Sequence, residues 1–155
     1  ASIGKLSQVC ATFFTDEYKP KPGLLSQTFT GSTSAIQGGF AIINELINGG
    51  YYGPEGKIQL IHHHFVKKLE ALSSKYPYLL QGPFGTGCMI AFTPYDGIAQ
   101  KVTEFVQRLF TAGVMGFIAG SNPTRVRFLI PAGAITYEDI DKAMDIIEAT
   151  LLQPA

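Results

Sequence analysis

The sequence contains little charge, and the charge that it has is balanced. Asp, Glu, Lys and Arg make up 15% of the 155 residues, against roughly 25% in an average globular protein. The 12 basic and 12 acidic residues give a formal net charge of zero. Nucleic-acid binders carry a clustered excess of Lys and Arg, so we predict that the chain binds no nucleic acid. Its hydrophobic share of 46% is enough for a compact core.

The sequence also lacks paired cysteines and long apolar runs. Cys10 and Cys88 are far apart and form no CxxC pair, so we interpret both as small buried hydrophobes in a reducing, cytoplasmic compartment. No apolar run approaches the ~18 residues of a membrane span, and the start ASIGKLSQ has no apolar leader segment. The chain does not begin with Met, and a strand-like pattern starts almost at once. We therefore expect it to be one portion of a longer protein.

Hydrophobic periodicity divides the chain into two regions. Residues 1–32 are extended and rich in turns, and a helix is predicted from about Ser34 to Leu46. The apolar residues of this helix recur at helical spacing, at Ile36, Phe40, Ile43 and Ile47. Gly49 and Gly50 end the helix. We place a domain boundary there, between residues 1–48 and residues 49–155.

From Lys57 onwards the predicted order is helix, strand, helix, strand, strand, helix. The first helix stops before Pro77, and the glycine turn GPFGTG leads into a single strand. In the last helix, Thr136 and Asp139 have the spacing of a capping box. This order predicts an α/β fold with a short mixed or antiparallel sheet and helices packed on one side.

The consecutive histidines His62, His63 and His64 predict no metal site. Neighbouring residues on a helix point about 100° apart, so three in a row cannot converge on one ion, whereas zinc helices use i, i+4 spacing. The glycines Gly85 and Gly87 precede a strand, while a phosphate-binding loop precedes a helix. We interpret them as a tight turn.

Two arginines alternate with Val126 in a strand-like segment. Strand geometry places Arg125 and Arg127 on the same face. A guanidinium on an apolar strand needs an anion, because burying it alone is costly, and its fork matches a carboxylate. The residues themselves leave two interpretations open: a structural salt bridge and a ligand-binding site.

A lysine stands close to the start, in the stretch GKLSQVC. Most lysines are solvated surface charges. A lysine in a poorly solvated place has a lowered pKa and attacks carbonyl carbons as a free amine. Lys5 follows a small glycine and precedes an apolar run, which makes it a candidate for this chemistry.

Four segments, in order along the chain, resemble class III (fold type I) pyridoxal-phosphate-dependent aminotransferases. GKLSQVC resembles the family's cofactor-lysine signature, and LLSQTFTGS its phosphate-binding segment. GTGCMIAF is similar to the Gly-x-Gly strand of the small domain, and LFTAGVMGFIAG with TRVRFLIP to the closing stretch. Within this family, the motifs are most similar in sequence to those of the lysine 6-aminotransferase and 4-aminobutyrate aminotransferase types. The resemblance implies that residues 1–48 end the large cofactor-binding domain and that residues 49–155 form the small C-terminal domain.

The resemblance also implies roles for three residues. Lys5 is expected to bind pyridoxal 5'-phosphate covalently and to move the proton at the substrate carbon. Thr28 is expected to donate its hydroxyl to the cofactor phosphate, in this family usually that of the neighbouring subunit of a homodimer. Arg127 is expected to bind the carboxylate of the substrate. The substrates implied are an amino donor and a 2-oxo acid.

The sequence departs from the family pattern in two ways. Thr30, Gly31 and Ser32 stand where the family often has two glycines and an asparagine, while Leu6 and Leu129 occupy positions that are basic in some subclasses. These departures leave the substrate open. The upstream half of the family, which supplies most of the cofactor pocket, is not in this sequence, so we expect the chain alone to be inactive.

Two alternatives to the aminotransferase interpretation remain. The chain could be a free-standing α/β binding domain that never holds the cofactor. It could instead be an assembly module, in which the apolar face of helix 34–46 mediates dimerisation.

Overall fold

The computed structural model describes residue 9, residues 14–24 and residues 31–153. Of the predicted site residues, Arg127 is described, whereas Lys5 and Thr28 lie outside the described residues. The chain divides into two compact units, residues 1–50 and residues 51–155.

The described part of the first unit is dominated by one helix, α1 (Thr33–Asn48), which follows the short 3-10 helix Asp16–Tyr18. The predicted helix from Ser34 to Leu46 lies inside α1. The predicted apolar face is largely exposed, with Ile36 42%, Phe40 59%, Ile43 40% and Ile47 66% accessible. The buried side of α1 includes Gly39, where an added Cβ would lie 2.9 Å from Cγ1 of Val9. A side chain larger than hydrogen has no room there.

The second unit alternates helices and strands around one antiparallel sheet. Its elements are α2 (Lys57–Lys75), β1 (Leu80–Thr86), β2 (Met89–Pro94), α3 (Ala99–Thr111), β3 (Phe117–Ala119), β4 (Arg125–Leu129) and α4 (Tyr137–Leu151). The strand order is β1-β2-β4-β3, and each neighbouring pair is antiparallel. The predicted α/β class with a short antiparallel sheet is confirmed.

One strand differs from the prediction. The glycine turn expected before a single strand is part of β1, which pairs with β2 as a hairpin. Glycines and a proline hide this strand, since they are depleted in strands. The structure accommodates them at an irregularity between Gln81 and Phe84, and β1 is an edge strand, where proline is tolerated. Gly85 has φ +109°, and a Cβ there would clash with the Met89 carbonyl oxygen.

The helices α2, α3 and α4 cover one face of the sheet, which we call the inner face. Phe92 of β2 meets Phe105 of α3 edge-on, with ring centroids 6.0 Å apart, and stacks near Phe128 of β4 at 6.1 Å. The core is completed by aliphatic residues from all three helices, among them Leu69, Leu109, Ile140 and Ile147. Burial of this apolar surface is the main force that holds the helices on the sheet.

The predicted capping box starts α4. The backbone N–H of Asp139 donates to Thr136 Oγ1 at 3.1 Å, and the backbone N–H of Thr136 donates to Asp139 Oδ2 at 3.0 Å. The hydrogen bond from the Thr136 hydroxyl is the main reason why the pKa of Asp139 is lowered. None of the helices in the described part of the chain combines the length and apolarity of a membrane span.

Candidate carboxylate-binding site on the sheet

The candidate site lies on the outer face of the sheet, opposite the helices. In β4, Val126 and Phe128 are buried on the inner face, whereas Arg125, Arg127 and Leu129 are half-buried. The predicted placement of both arginines on one face is therefore correct. Because β4 lies between β2 and β3, both arginines stand over the middle of the sheet and not at its edge.

Arg127 has a small neighbour on one side and an aromatic neighbour on the other. Its register partners are Ala91 in β2 and Phe117 in β3. Ala91 has a short side chain, and Phe117 is aromatic and 43% exposed. A guanidinium on this face can pair with a carboxylate.

Arg125 is held by an aromatic ring. Its Cζ lies 4.6 Å from the ring centroid of Phe84 in β1, within the range of a cation–π contact. The ring orients the guanidinium but supplies no hydrogen-bond acceptor. The charge of Arg125 is thus positioned without being neutralised.

Three buried polar atoms in this part of the sheet have no hydrogen-bond partner among the described residues. They are Nε of Arg125, Nε of Arg127 and Oγ1 of Thr93. Thr93 is only 2% exposed. Thr93 shares the alternation of Ala91 along β2. Phe92 and Val126 form the last pair of the β2–β4 ladder. Thr93 follows Phe92 in the chain and Arg125 precedes Val126, so both lie just beyond the same end of this ladder. We call Thr93, Arg125 and Arg127 the outer-face cluster.

Buried polar atoms normally have partners, because leaving one unpaired costs about 1–3 kcal/mol. An unpaired buried polar atom needs an explanation, and a bound group is one of several. Two residues that are two apart on a strand have Cα atoms about 7 Å apart. Two arginines at this spacing repel each other, although solvent screens part of the repulsion. An anion between them would relieve both costs.

The sheet itself contains no acid to serve as that anion. None of the four strands has an Asp or Glu. The ion pairs seen within residues 31–153 join Asp96, Glu138, Asp141 and Glu148 to lysines or to His64. Neither arginine of the cluster pairs with a carboxylate in the described part of the chain. Within the described residues, the structure therefore shows no ion pair of the kind that a structural salt bridge requires.

The sequence analysis did not single out Thr93. Its one available signal is the period of β2, which puts Thr93 two positions after Ala91 and on the same face. A threonine at a strand end is too common to suggest a site. Only the tertiary structure reveals that its hydroxyl is buried and unpaired.

The three histidines lie on α2, and each makes a separate contact. The Gly87 carbonyl oxygen lies 2.8 Å from Nδ1 of His62, and Nε2 of His64 lies 2.7 Å from Oδ1 of Asp141. Nε2 of His63 lies 2.8 Å from the Gln59 amide. The contacts of His62 and His64 fix α2 to the hairpin and to α4, whereas the contact of His63 stays within α2.

Two other groups complete the electrostatics. Hydrogen bonds from Lys68 and then His64 lower the pKa of Asp141. Burial raises the pKa of the Cys88 thiol, which makes it a poor nucleophile and agrees with its interpretation as a small hydrophobe. Cys10 lies outside the described residues.

Solved aminotransferases share this fold. An ornithine aminotransferase from Plasmodium yoelii matches with a TM-score of 0.68 at 22% identity, covering 85% of this chain and 33% of its own. A lysine aminotransferase from M. tuberculosis matches with 0.66 at 19%, covering 83% of this chain and 28% of its own. For a Bacillus anthracis aminotransferase the TM-score is 0.57 at 14%, with coverage of 76% and 26%.

At these identities the likeness establishes the fold, which is that of the C-terminal portion of aminotransferases. The chain spans a third or less of the length of these structures. No protein-family model and no curated protein sequence matches the chain.

Proposed function

We propose that the chain is the C-terminal portion of a pyridoxal-phosphate-dependent class III aminotransferase, which moves an amino group from an amine or amino acid to a 2-oxo acid. The observation that carries this proposal is the environment of Arg127. Its guanidinium stands over the middle of a sheet with the aminotransferase fold, and its buried Nε has no partner in the part of the chain that the structure describes. A fork in this state suits the carboxylate of an amino acid or 2-oxo acid.

The proposed roles of the residues follow the sequence resemblance. Arg127 binds and orients the substrate carboxylate. Lys5 holds the cofactor through Nζ and moves the proton at the substrate carbon that carries the amino group. Thr28 donates its hydroxyl to the cofactor phosphate, that of the neighbouring subunit in a homodimer. Bound pyridoxal 5'-phosphate supplies the electron sink. Lys5 and Thr28 lie outside the described residues, so their roles rest on the sequence motifs.

Within the family, we propose an enzyme of the lysine 6-aminotransferase or 4-aminobutyrate aminotransferase type, in the cytoplasm. Residues 1–48 then end the large domain and residues 49–155 form the small domain. Support for the general kind comes from the fold shared with lysine and ornithine aminotransferases. Support for the type comes from the sequence motifs around Lys5 and Arg127.

We further propose that the 155-residue chain is inactive by itself. Most of the cofactor pocket of the family lies upstream of the lysine signature, so Lys5 has no ring anchor in this chain.

Borohydride trapping tests these proposals. Pyridoxal 5'-phosphate is added, the imine is reduced, and peptides are mapped by mass spectrometry. We expect stoichiometric labelling of Lys5 in a longer gene product that includes the upstream residues, loss of the label in Lys5→Ala, and no effect of Lys21→Ala as the matched control. In the 155-residue chain we expect no stoichiometric label.

Two outcomes would contradict the proposals separately. A longer protein that is not labelled at Lys5 refutes the aminotransferase function. Stoichiometric labelling of Lys5 in the 155-residue chain refutes only its inactivity.

An assembly module without cofactor is the second candidate, favoured by the exposed apolar face of α1. Phe40 and Ile47 are 59% and 66% exposed there, and exposed apolar stripes often mark contact surfaces. Sedimentation velocity at two concentrations tests this candidate. It requires a dimer that Phe40→Glu abolishes, together with function that survives Lys5→Ala.

A further inference from the structure

We propose that a cleft on the helical side of the second unit binds a small amphiphilic anion, a molecule with one carboxylate and an apolar body. The cleft has a volume of about 430 Å³ and lies between the N-terminal ends of α2 and α4 and the loop that follows β4. Its lining residues belong to these helices and this loop and not to the four strands. The cleft is therefore a site separate from the outer-face cluster.

The lining of the cleft determines which ligand fits. Most of the wall is apolar and is formed by Leu60, Ile61, Ala132, Ala134 and Ile135. Among the described residues that line the cleft, Lys57 alone is charged. Clefts of about 300–1,000 Å³ with apolar walls and a few polar groups are typical of small-molecule sites. Charge complementarity with one lysine favours a ligand that carries a single negative charge.

Tyr51 holds Lys57 beside the cleft. Nζ of Lys57 lies 4.5 Å from the centroid of the Tyr51 ring, within the range of a cation–π contact. The carbonyl oxygen of Tyr51 accepts a hydrogen bond from the backbone N–H of Ile58 at 3.3 Å. The hydroxyl of Tyr51 lies against Gly133, where an added Cβ would be 2.9 Å from it. Tyr51 thus connects α2 to the loop and orients the ammonium without neutralising it.

The ammonium of Lys57 pairs with no carboxylate in the part of the chain that the structure describes. The two acids in the first turn of α4 have other partners. Glu138 pairs with Lys142 at 2.8 Å, and Asp139 is bound in the capping box with Thr136. The carboxylate of a ligand therefore meets a positive charge that no described acid occupies.

The loop that forms one wall is shaped before a ligand binds. The backbone N–H groups of Ala134 and Ile135 both donate to the Pro131 carbonyl oxygen, at 2.9 and 3.1 Å. The capping box fixes the start of α4 at the end of this loop. A preformed wall loses little conformational entropy on binding. Burial of the apolar body then supplies most of the affinity, and the pair with Lys57 supplies the preference for an anion.

The test compares 4-phenylbutyrate with its uncharged amide, 4-phenylbutyramide. Each compound is titrated into the 155-residue chain while the methyl resonances of Ala132 and Ala134 are followed by NMR. The methyl of Ala91 reports separately on binding at the outer face. We expect both compounds to shift Ala132 and Ala134 with dissociation constants in the millimolar range. The carboxylate should bind about threefold more tightly, which is the contribution of one exposed ion pair.

Substitutions assign the effect to its residues. Lys57→Met is expected to remove the preference for the carboxylate and to leave the affinity for the amide unchanged, whereas Lys57→Arg keeps the charge and the preference. Lys67→Met removes an exposed charge of α2 that does not line the cleft, so this matched control should change neither affinity. Leu60→Ala shortens the apolar wall and should weaken both compounds by a similar factor. Circular dichroism verifies that each variant is folded.

Three results would overturn the inference. The first is that neither compound shifts Ala132 and Ala134. The second is that Lys57→Met, like Lys67→Met, leaves the ratio of the two affinities unchanged. The third is that shifts are confined to Ala91, which would locate the anion on the outer face. None of these results affects the proposed function, because no residue of the cleft has a role in it.

Discussion

Replacing Arg127 with methionine is expected to stabilise the fold and to abolish carboxylate binding at the same time. Methionine keeps the length and the apolar stem of the side chain but removes the guanidinium. Among the described residues, the buried Nε of that guanidinium has no partner, and a like charge lies two residues away at Arg125. A residue kept for binding a ligand often costs stability in this way.

The magnitude follows from the two costs. An unpaired buried polar atom costs about 1–3 kcal/mol. Arg127 is only half-buried, so we take the lower end of that range, and we add little for repulsion because solvent screens it. The expected gain in the free energy of unfolding is about 1 kcal/mol. With a urea m-value of about 1.5 kcal/mol/M, the midpoint should rise by about 0.7 M.

Urea unfolding followed by far-UV circular dichroism measures this change. The matched control is Arg108→Met in α3. Arg108 donates from Nη2 to the Tyr95 hydroxyl at 3.0 Å and from Nη1 to the Gln153 carbonyl oxygen at 3.4 Å. Removing these hydrogen bonds should reduce the free energy of unfolding by roughly 1 kcal/mol and so lower the urea midpoint.

A fall in the midpoint of Arg127→Met would refute the reasoning. A loss of about 1 kcal/mol or more would mean that Arg127 makes a stabilising contact inside the protein, as the structural salt-bridge interpretation requires. Equal shifts in the two variants would show a general effect of losing an arginine.

Two further predictions concern the scaffold. Phe105 is fully buried against Phe92, so Phe105→Ala should lower the free energy of unfolding by about 3–5 kcal/mol. Phe110 is 64% exposed on the same helix, and Phe110→Ala should change the free energy of unfolding by less than about 0.5 kcal/mol. Thermal unfolding compares the two variants, and equal losses of stability would contradict the assignment of the core. Hydrogen bonds from Lys75 and the Tyr76 hydroxyl lower the pKa of Glu148 in the folded state. The Glu148 carboxylate therefore stabilises the fold above its unfolded pKa of about 4.3. This stabilisation is lost as the pH falls through the lower pKa of the folded state. Glu148→Gln should therefore be less stable than the unchanged chain at pH 7 and equal to it in acid, and a pH-independent difference in urea midpoints would argue against the ion pair.

Local patterns predicted most of the second unit. Helical spacing placed α2 between Lys57 and the residues before Pro77, and the spacing of Thr136 and Asp139 placed the start of α4. These features depend on neighbours within a few residues, which is why periodicity and capping chemistry reveal them. The strand β1 was missed because its glycines and proline have the local pattern of a turn, and only pairing with β2 makes it a strand.

For the candidate site, the sequence by itself determined that Arg125 and Arg127 share a face, since side chains on a strand alternate with a period of two. The tertiary structure decided everything about their surroundings. It placed β4 in the middle of the sheet, set Phe84 against Arg125, brought no carboxylate from any of the four strands, and buried the Thr93 hydroxyl with no partner among residues 14–24 and 31–153. Those facts depend on strand order and register between distant segments, and alternation along one strand contains no information about either.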